Sequence, residues 1–260
     1  MVEFRSDWPV ELEGVSQSVY FASIVFETIC FFIVLLLVIF SIRRVIQRKR
    51  MAAYFIAGLY TCFLIGLAMT ILAKVNVLFF DQSFIIGRAY EKFSLVAILL
   101  SLNFLFLFDL EIFTMFEKEQ KLKYFLPIFL LSVIFGLNEV IRLYDQTTLA
   151  LLGFYILFGL FLFGYHIYHA QRLMRRQERK LEKYGMLAIL LQGVFFLIYL
   201  MAVVFSSLFI LLDLLPPFNL LYFFSWTFLI SALLFSYLGF FLPPWFRNWV
   251  DRRGRSVVES

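Results

Sequence analysis

The chain has 260 residues, of which 63% are apolar, 16% charged and 20% aromatic, with a mean hydropathy of +0.90 and a formal charge of +5. Soluble globular domains carry roughly 45–50% apolar and about 25% charged residues, so a soluble enzyme, a disordered chain and a secreted disulfide scaffold are excluded. The composition predicts an all-α polytopic membrane protein.

A helix crossing about 30 Å of hydrocarbon needs roughly 20 residues at 1.5 Å each. Residues 1–18 form a short tail in which Glu3, Asp7, Glu11 and Glu13 face only Arg5. A secretory signal starts with basic residues and ends in a small-residue cleavage site, so the first span is expected to be a retained anchor. Seven spans then fill residues 19–242: Val19–Ile42, Met51–Lys74, Glu91–Phe116, Tyr124–Leu143, Thr147–His169, Gly185–Leu214 and Pro217–Leu242. Transmembrane strands would alternate in polarity over about 10 residues, and these runs are apolar throughout. Between the second and third spans, Lys74–Tyr90 is expected to be an apolar outer loop resting on the bundle mouth. Between the fifth and sixth, Gln171–Tyr184 is rich in helix formers and should extend both helices beyond the membrane. Residues 243–260 form a short basic tail.

Lys and Arg set the orientation. Arg43, Arg44, Arg48, Lys49, Arg50, Lys118, Lys121, Lys123, Arg172, Arg175, Arg176, Arg179, Lys180, Lys183, Arg247, Arg252, Arg253 and Arg255 lie on one side, 18 of the 23 basic residues. That side is expected to be cytoplasmic, with the N-terminus outside, the C-terminus inside, and the chain in the cell membrane. The positive charge needs no nucleic acid, because it is the cytoplasmic excess that favours anionic headgroups.

Within the spans, Cys30 and Cys62 read as packing thiols, and Cys62 belongs to a stripe of small residues with Gly58, Gly66 and Thr70 on which another helix can lie closely. The first span leaves the membrane through Arg44 and Arg48, and the fifth through Arg172 and Arg176, with apolar pairs between. This match suits helices 1–3 and 5–7 as parallel repeats joined by helix 4, although any inward-going helix tends to end in basic residues.

Ionisable residues inside spans point to function by default. Toward the outer side these are Glu27, Lys74, Glu139, Arg142 and Asp213. Glu139 and Arg142 share a helix face and can pair, while Lys74, Arg142 and Asp213 are near enough to the boundary to snorkel. An outer cavity lined by Glu27, Asn103, Glu139, Tyr199 and Trp226 is the candidate site for a small-molecule or lipid ligand. Toward the inner side, Asp109, His166, His169 and Arg172 form a candidate polar cluster, best read as hydrogen bonds and ion pairs. The histidine spacing is not a zinc pattern, and no metal or other cofactor is expected. No phosphate loop, nucleophile elbow or Cys-x-x-Cys pair occurs, and the last span holds no Lys for a retinal Schiff base, so no enzymatic activity is expected.

The last span ends as Tyr237-Leu238-Gly239-Phe240-Phe241-Leu242-Pro243-Pro244-Trp245-Phe246-Arg247. The prolines stop the helix, and Trp245 and Arg247 suit the interface. This ending, with the seven-span topology, resembles the point where archaeal seven-helix sensor modules of membrane histidine kinases pass into their cytoplasmic parts. The resemblance implies a receptor-like sensor, and with no kinase after it in this sequence, signal transduction would pass through a separate cytoplasmic partner. Arg172, Arg176 and Lys180, at spacing four, offer that partner a basic stripe, which anionic headgroups could equally occupy. A small transporter of three-helix repeats and an accessory subunit of a larger complex are the alternatives.

Overall fold

The computed structural model describes residues 16–79, 84–114, 116–141, 149–212, 214 and 218–255. Eight helices follow in order: α1 (Gln17–Arg48), α2 (Met51–Phe79), α3 (Phe84–Phe113), α4 (Lys118–Ile141), α5 (Leu149–Arg176), α6 (Lys180–Leu211), α7 (Leu220–Phe241) and α8 (Pro244–Arg255). The first seven are long and apolar enough to cross a bilayer, and the protein is a multi-pass membrane protein. Hereafter the first end of the bundle is the one where α1 starts, and the basic end is the opposite one.

Burial separates the faces of α1. Ser23, Glu27, Cys30, Val34, Leu37 and Ser41 point inward, whereas Val25, Ile29, Phe32 and Leu36 are exposed. The exposed stripe is as apolar as the buried one because its solvent is lipid. The small-residue stripe of α2 receives α3: a Cβ on Gly58 would stand 2.6 Å from the Phe104 ring, and one on Gly66 3.3 Å from Ile98. One turn further, Thr70 and Ser94 share a hydrogen bond of 2.8 Å. Both cysteines are free thiols. On the other side of the bundle α6 and α7 cross as tightly, since a Cβ on Gly239 would lie 2.8 Å from the Gly185 carbonyl oxygen.

Three local expectations need correction. The connection after Lys74 is mostly helix, because α2 continues to Phe79 and α3 starts at Phe84. α4 begins at Lys118 rather than Tyr124, so Pro127 lies inside it and deprives the Lys123 carbonyl of its helical partner. The Arg172–Arg176–Lys180 stripe does not run along one helix: α5 ends at Arg176 and α6 begins at Lys180. Both helices do extend past the apolar region, as the helix-forming composition predicts.

Helix ends recur at a nearly constant interval. α1 and α5 end 128 residues apart, at Arg48 and Arg176; α3 and α7 end 128 apart, at Phe113 and Phe241; α2 and α6 begin 129 apart, at Met51 and Lys180. Neighbour relations recur with them. α1 packs on α2 and α2 on α3, as α5 packs on α6 and α6 on α7. The two seams between these triplets, α1 on α7 and α5 on α3, exchange under the same relation, with α4 as the joint. Two parallel three-helix repeats would produce this recurrence.

α7 opens on Asn219, whose side chain accepts from the Tyr222 N–H at 3.2 Å. It closes at Leu242 in the left-handed region (φ 46°), where Pro243 and Pro244 prevent continuation. Arg247 Nε caps the end by donating to the Leu242 carbonyl at 2.7 Å. The segment read from sequence as a basic tail thus holds α8, whose Phe246 and Val250 are buried while Trp245 is exposed. Trp249 meets Tyr184 of α6 edge-on, ring centroids 5.8 Å apart.

Candidate functional site

Two buried polar clusters close the two seams, one toward each end of the bundle. The first joins α1, α2 and α7. Glu27 and Lys74 are buried, and their charges meet at 2.8 Å. Lys74 Nζ also donates to Ser23 Oγ at 3.1 Å and to the Tyr222 hydroxyl. Tyr222 in turn donates to Glu27 Oε1. Phe218 lies 4.5 Å, ring centroid to Lys74 Nζ, over the ammonium. Its backbone takes φ 60°, a conformation that costs a bulky residue roughly 1–2 kcal/mol and persists because the ring is packed between Lys74 and Tyr20. Two opposite charges removed from solvent offset each other only when their remaining donors and acceptors are satisfied. Here Tyr222 and Ser23 contribute to that, although Glu27 Oε2 is left without a hydrogen-bond partner among the described residues. Lys74 therefore turns inward, against the expectation that it snorkels, because a carboxylate is in reach.

The second cluster joins α3, α5 and α6. His166 Nδ1 lies 2.6 Å from Asp109 Oδ1, and His166 Nε2 lies 2.9 Å from the Ile189 carbonyl oxygen. A carbonyl only accepts, so Nε2 carries a proton. One further proton sits between Nδ1 and Oδ1, and on whichever atom it resides the pair has no net charge. That neutrality lets both residues be wholly buried. Gly193 makes room for the ring, since a Cβ there would stand 2.7 Å from His166 Cδ2. Gln192, next in the chain, is buried, and among the described residues neither its amide atoms nor Asp109 Oδ2 has a hydrogen-bond partner.

The repeat relation connects the clusters. Advancing Glu27 by 128 residues gives Tyr155, whose hydroxyl donates to Tyr199 at 3.4 Å between α5 and α6. Advancing Asp109 gives Tyr237, whose ring stands 6.1 Å from Phe40 across the α7–α1 seam. Each of the two carboxylates thus has a tyrosine at the corresponding position of the other triplet, whereas Lys74 and His166 correspond to Ala202 and Val38. The charged contacts lie toward the first end in one seam and the basic end in the other.

The residues assigned to one outer cavity are distributed over three helix pairings. Glu27 and Trp226 meet through Tyr222, whose ring is 6.5 Å from that of Trp226. Glu139 pairs with Lys92 at 3.5 Å, and Asn103 Nδ2 donates to Ser132 Oγ at 3.0 Å, both between α3 and α4. Tyr199 belongs with Tyr155. Arg142 and Asp213 lie outside the described residues. Of the inner candidates, Asp109 and His166 come together. His169 stacks instead on Phe113, ring centroids 5.9 Å apart, and Arg172 is exposed. Among the described residues no group of three His, Cys, Asp or Glu side chains is placed to hold a metal ion. Lys74, Tyr222, Lys92 and Gln192 were not singled out as site residues in the sequence reading. The signal available for Lys74 is that of an ionisable residue near a span boundary, whereas Tyr222 carries none.

No family model, curated protein or solved structure matches this chain.

Proposed function

We propose that the protein is a seven-helix membrane sensor. It takes up a small or apolar ligand at the first end of the bundle and passes its state to a cytoplasmic partner at the basic end. The observation that carries this reading is the position of Tyr222. It closes the buried Glu27–Lys74 pair and sits on α7, the helix that turns at Leu242 into α8. A rigid helix held by a buried network at one end and joined to an interfacial helix at the other is a lever with two packings. A ligand that competes for Tyr222 or Lys74 favours the packing in which α7 is released, in proportion to its differential affinity for the two states. The excess of Lys and Arg at that end supports a cytoplasmic side for α8 and the α5–α6 connection, and the resemblance of residues 237–247 to archaeal sensor modules supports the same direction of output. Neither cluster presents a nucleophile beside an oriented base in an open cleft, which favours binding over turnover.

Screening small apolar compounds by thermal shift in detergent tests the input. A compound that stabilises the parent but not Glu27→Gln supports the reading. One that stabilises Glu27→Gln and Glu139→Gln as strongly as the parent removes the ligand from this end.

A second reading, a small transporter, is favoured by the repeat. Rocking one triplet against the other would open the α1–α7 and α3–α5 seams in turn, and the Asp109–His166 pair would carry a proton. Proton flux into proteoliposomes that is abolished by Asp109→Asn would favour it over the sensor.

A further inference from the structure

Toward the basic end, α2, α3 and α4 enclose a groove of about 500 Å³ that neither cluster uses. Its walls are apolar and include Phe55, Leu107 and Phe125; its mouth carries Lys118, Lys121 and Glu111. The volume falls within the roughly 300–1,000 Å³ typical of ligand sites. At the lip, Met51 and Leu122 are more than half exposed, as suits residues facing lipid. We infer that this groove binds one anionic phospholipid, the phosphate resting on Lys118 and Lys121 and one acyl chain lying along Phe55, Leu107 and Phe125.

Three observations select that occupant. The groove joins an apolar channel to a cationic mouth, which is the shape and charge of a phospholipid and of neither a free anion nor a neutral lipid. Lys118, Lys121 and Lys123 occupy the first two turns of α4, where the helix dipole disfavours cations, so they do not serve the stability of α4 itself. Glu111 orients Lys121 at 2.7 Å while leaving its side chain 23% exposed, so the ammonium keeps donors for a phosphate. Of the seven spans α4 has the least buried apolar stretch. Polar ties to α3 run through Lys92–Glu139, Asn103–Ser132 and Lys121–Glu111. A lipid filling the groove would add an apolar contact among α2, α3 and α4 where the helices diverge.

Native mass spectrometry of the detergent-solubilised full chain, titrated with phosphatidylglycerol or phosphatidylcholine, tests the inference. The parent should retain one phosphatidylglycerol in preference to phosphatidylcholine. Lys118→Ala, which leaves the Glu111–Lys121 pair intact, should weaken retention about 5-fold. Adding Lys121→Ala should weaken it about 30-fold in total, from about 1 kcal/mol per surface cation. Arg172→Ala with Arg176→Ala, which removes equal charge elsewhere on the basic end, should change nothing. Equal retention of both lipids, or equal losses in the two charge-matched variants, would overturn the site. So would displacement of the lipid by inorganic phosphate at matched concentration, because the headgroup alone would then account for binding.

Discussion

The Glu27–Lys74 pair makes a quantitative prediction about α7. Both side chains are buried, Lys74 with 3% of its side chain exposed and Glu27 with none. Replacing Lys74 with Met leaves the Glu27 carboxylate with Tyr222 and no counter-charge; replacing Glu27 with Gln leaves the ammonium without its anion. Breaking a buried pair from one side costs about 3–5 kcal/mol, whereas removing both charges is often nearly neutral. The single variants should each unfold at markedly lower denaturant, and the Glu27→Gln, Lys74→Met double variant should recover most of the loss. With a nearly neutral double variant the corresponding coupling energy is about 6–10 kcal/mol, well above the roughly 0.6 kcal/mol average of hydrogen bonds between membrane helices. Equilibrium unfolding in mixed micelles, followed by far-UV circular dichroism, reads all four members of the cycle. If the double variant loses the sum of the two single losses, the residues do not interact and the ion pair that ties α1 to α2 beneath Tyr222 is misassigned.

Other predictions follow from the same geometry. Asp109→Asn should be mild, below about 1 kcal/mol, because the amide can donate to His166 Nδ1, while His166→Phe should cost about 1–3 kcal/mol by orphaning the Asp109 carboxyl; thermal unfolding in detergent ranks the two, and the reverse order contradicts the neutral pair. Gly239→Ala should force α6 and α7 apart at a cost of about 1–3 kcal/mol, since its Cβ would meet backbone atoms of Gly185 and Ile189. Gly164→Ala, with nothing within 4 Å, should be neutral or stabilising by up to about 1 kcal/mol, and the same melting experiment compares them. Replacing Arg172, Arg176 and Lys180 with Gln should leave folding intact and abolish capture of an acidic cytoplasmic partner in low-salt pull-downs; capture equal to the parent leaves these residues to the lipid headgroups.

The seven spans were legible because their signal is additive: twenty consecutive apolar residues announce a membrane helix whatever its neighbours are. The small-residue stripe on α2 was legible for a related reason, since close approach depends only on what a helix lacks at spacing four. Partner choice was not. Lys74 reads alone as a residue near a boundary, and only the packing of α1 on α2 shows that Glu27 is nearer than the headgroups. Tyr222 has no feature to separate it from the other twelve tyrosines. Glu139, Asn103 and Tyr199 were grouped with Glu27 by depth alone, and depth does not tell which helix a side chain faces. The Arg44/Arg172 and Arg48/Arg176 match covers ten residues, whereas the recurring helix boundaries and neighbour relations appear only once the helices are packed. Lys180 left its stripe because two helices, rather than one, share the basic connection.

The claim that α7 carries the state of the first end to α8 is tested most directly by the distance between α8 and the start of α2. Spin labels at Asn248→Cys and Ala52→Cys, in a background with Cys30 and Cys62 replaced by Ala, report it by pulsed electron resonance in lipid nanodiscs. In the parent the account predicts one dominant distance. With Tyr222→Phe, which removes only the hydroxyl that closes the Glu27–Lys74 pair, it predicts a second population as α7 is released and α8 shifts on α6. Identical distance distributions in parent and Tyr222→Phe, with the variant destabilised, would show that the buried pair holds the bundle together without communicating with α8.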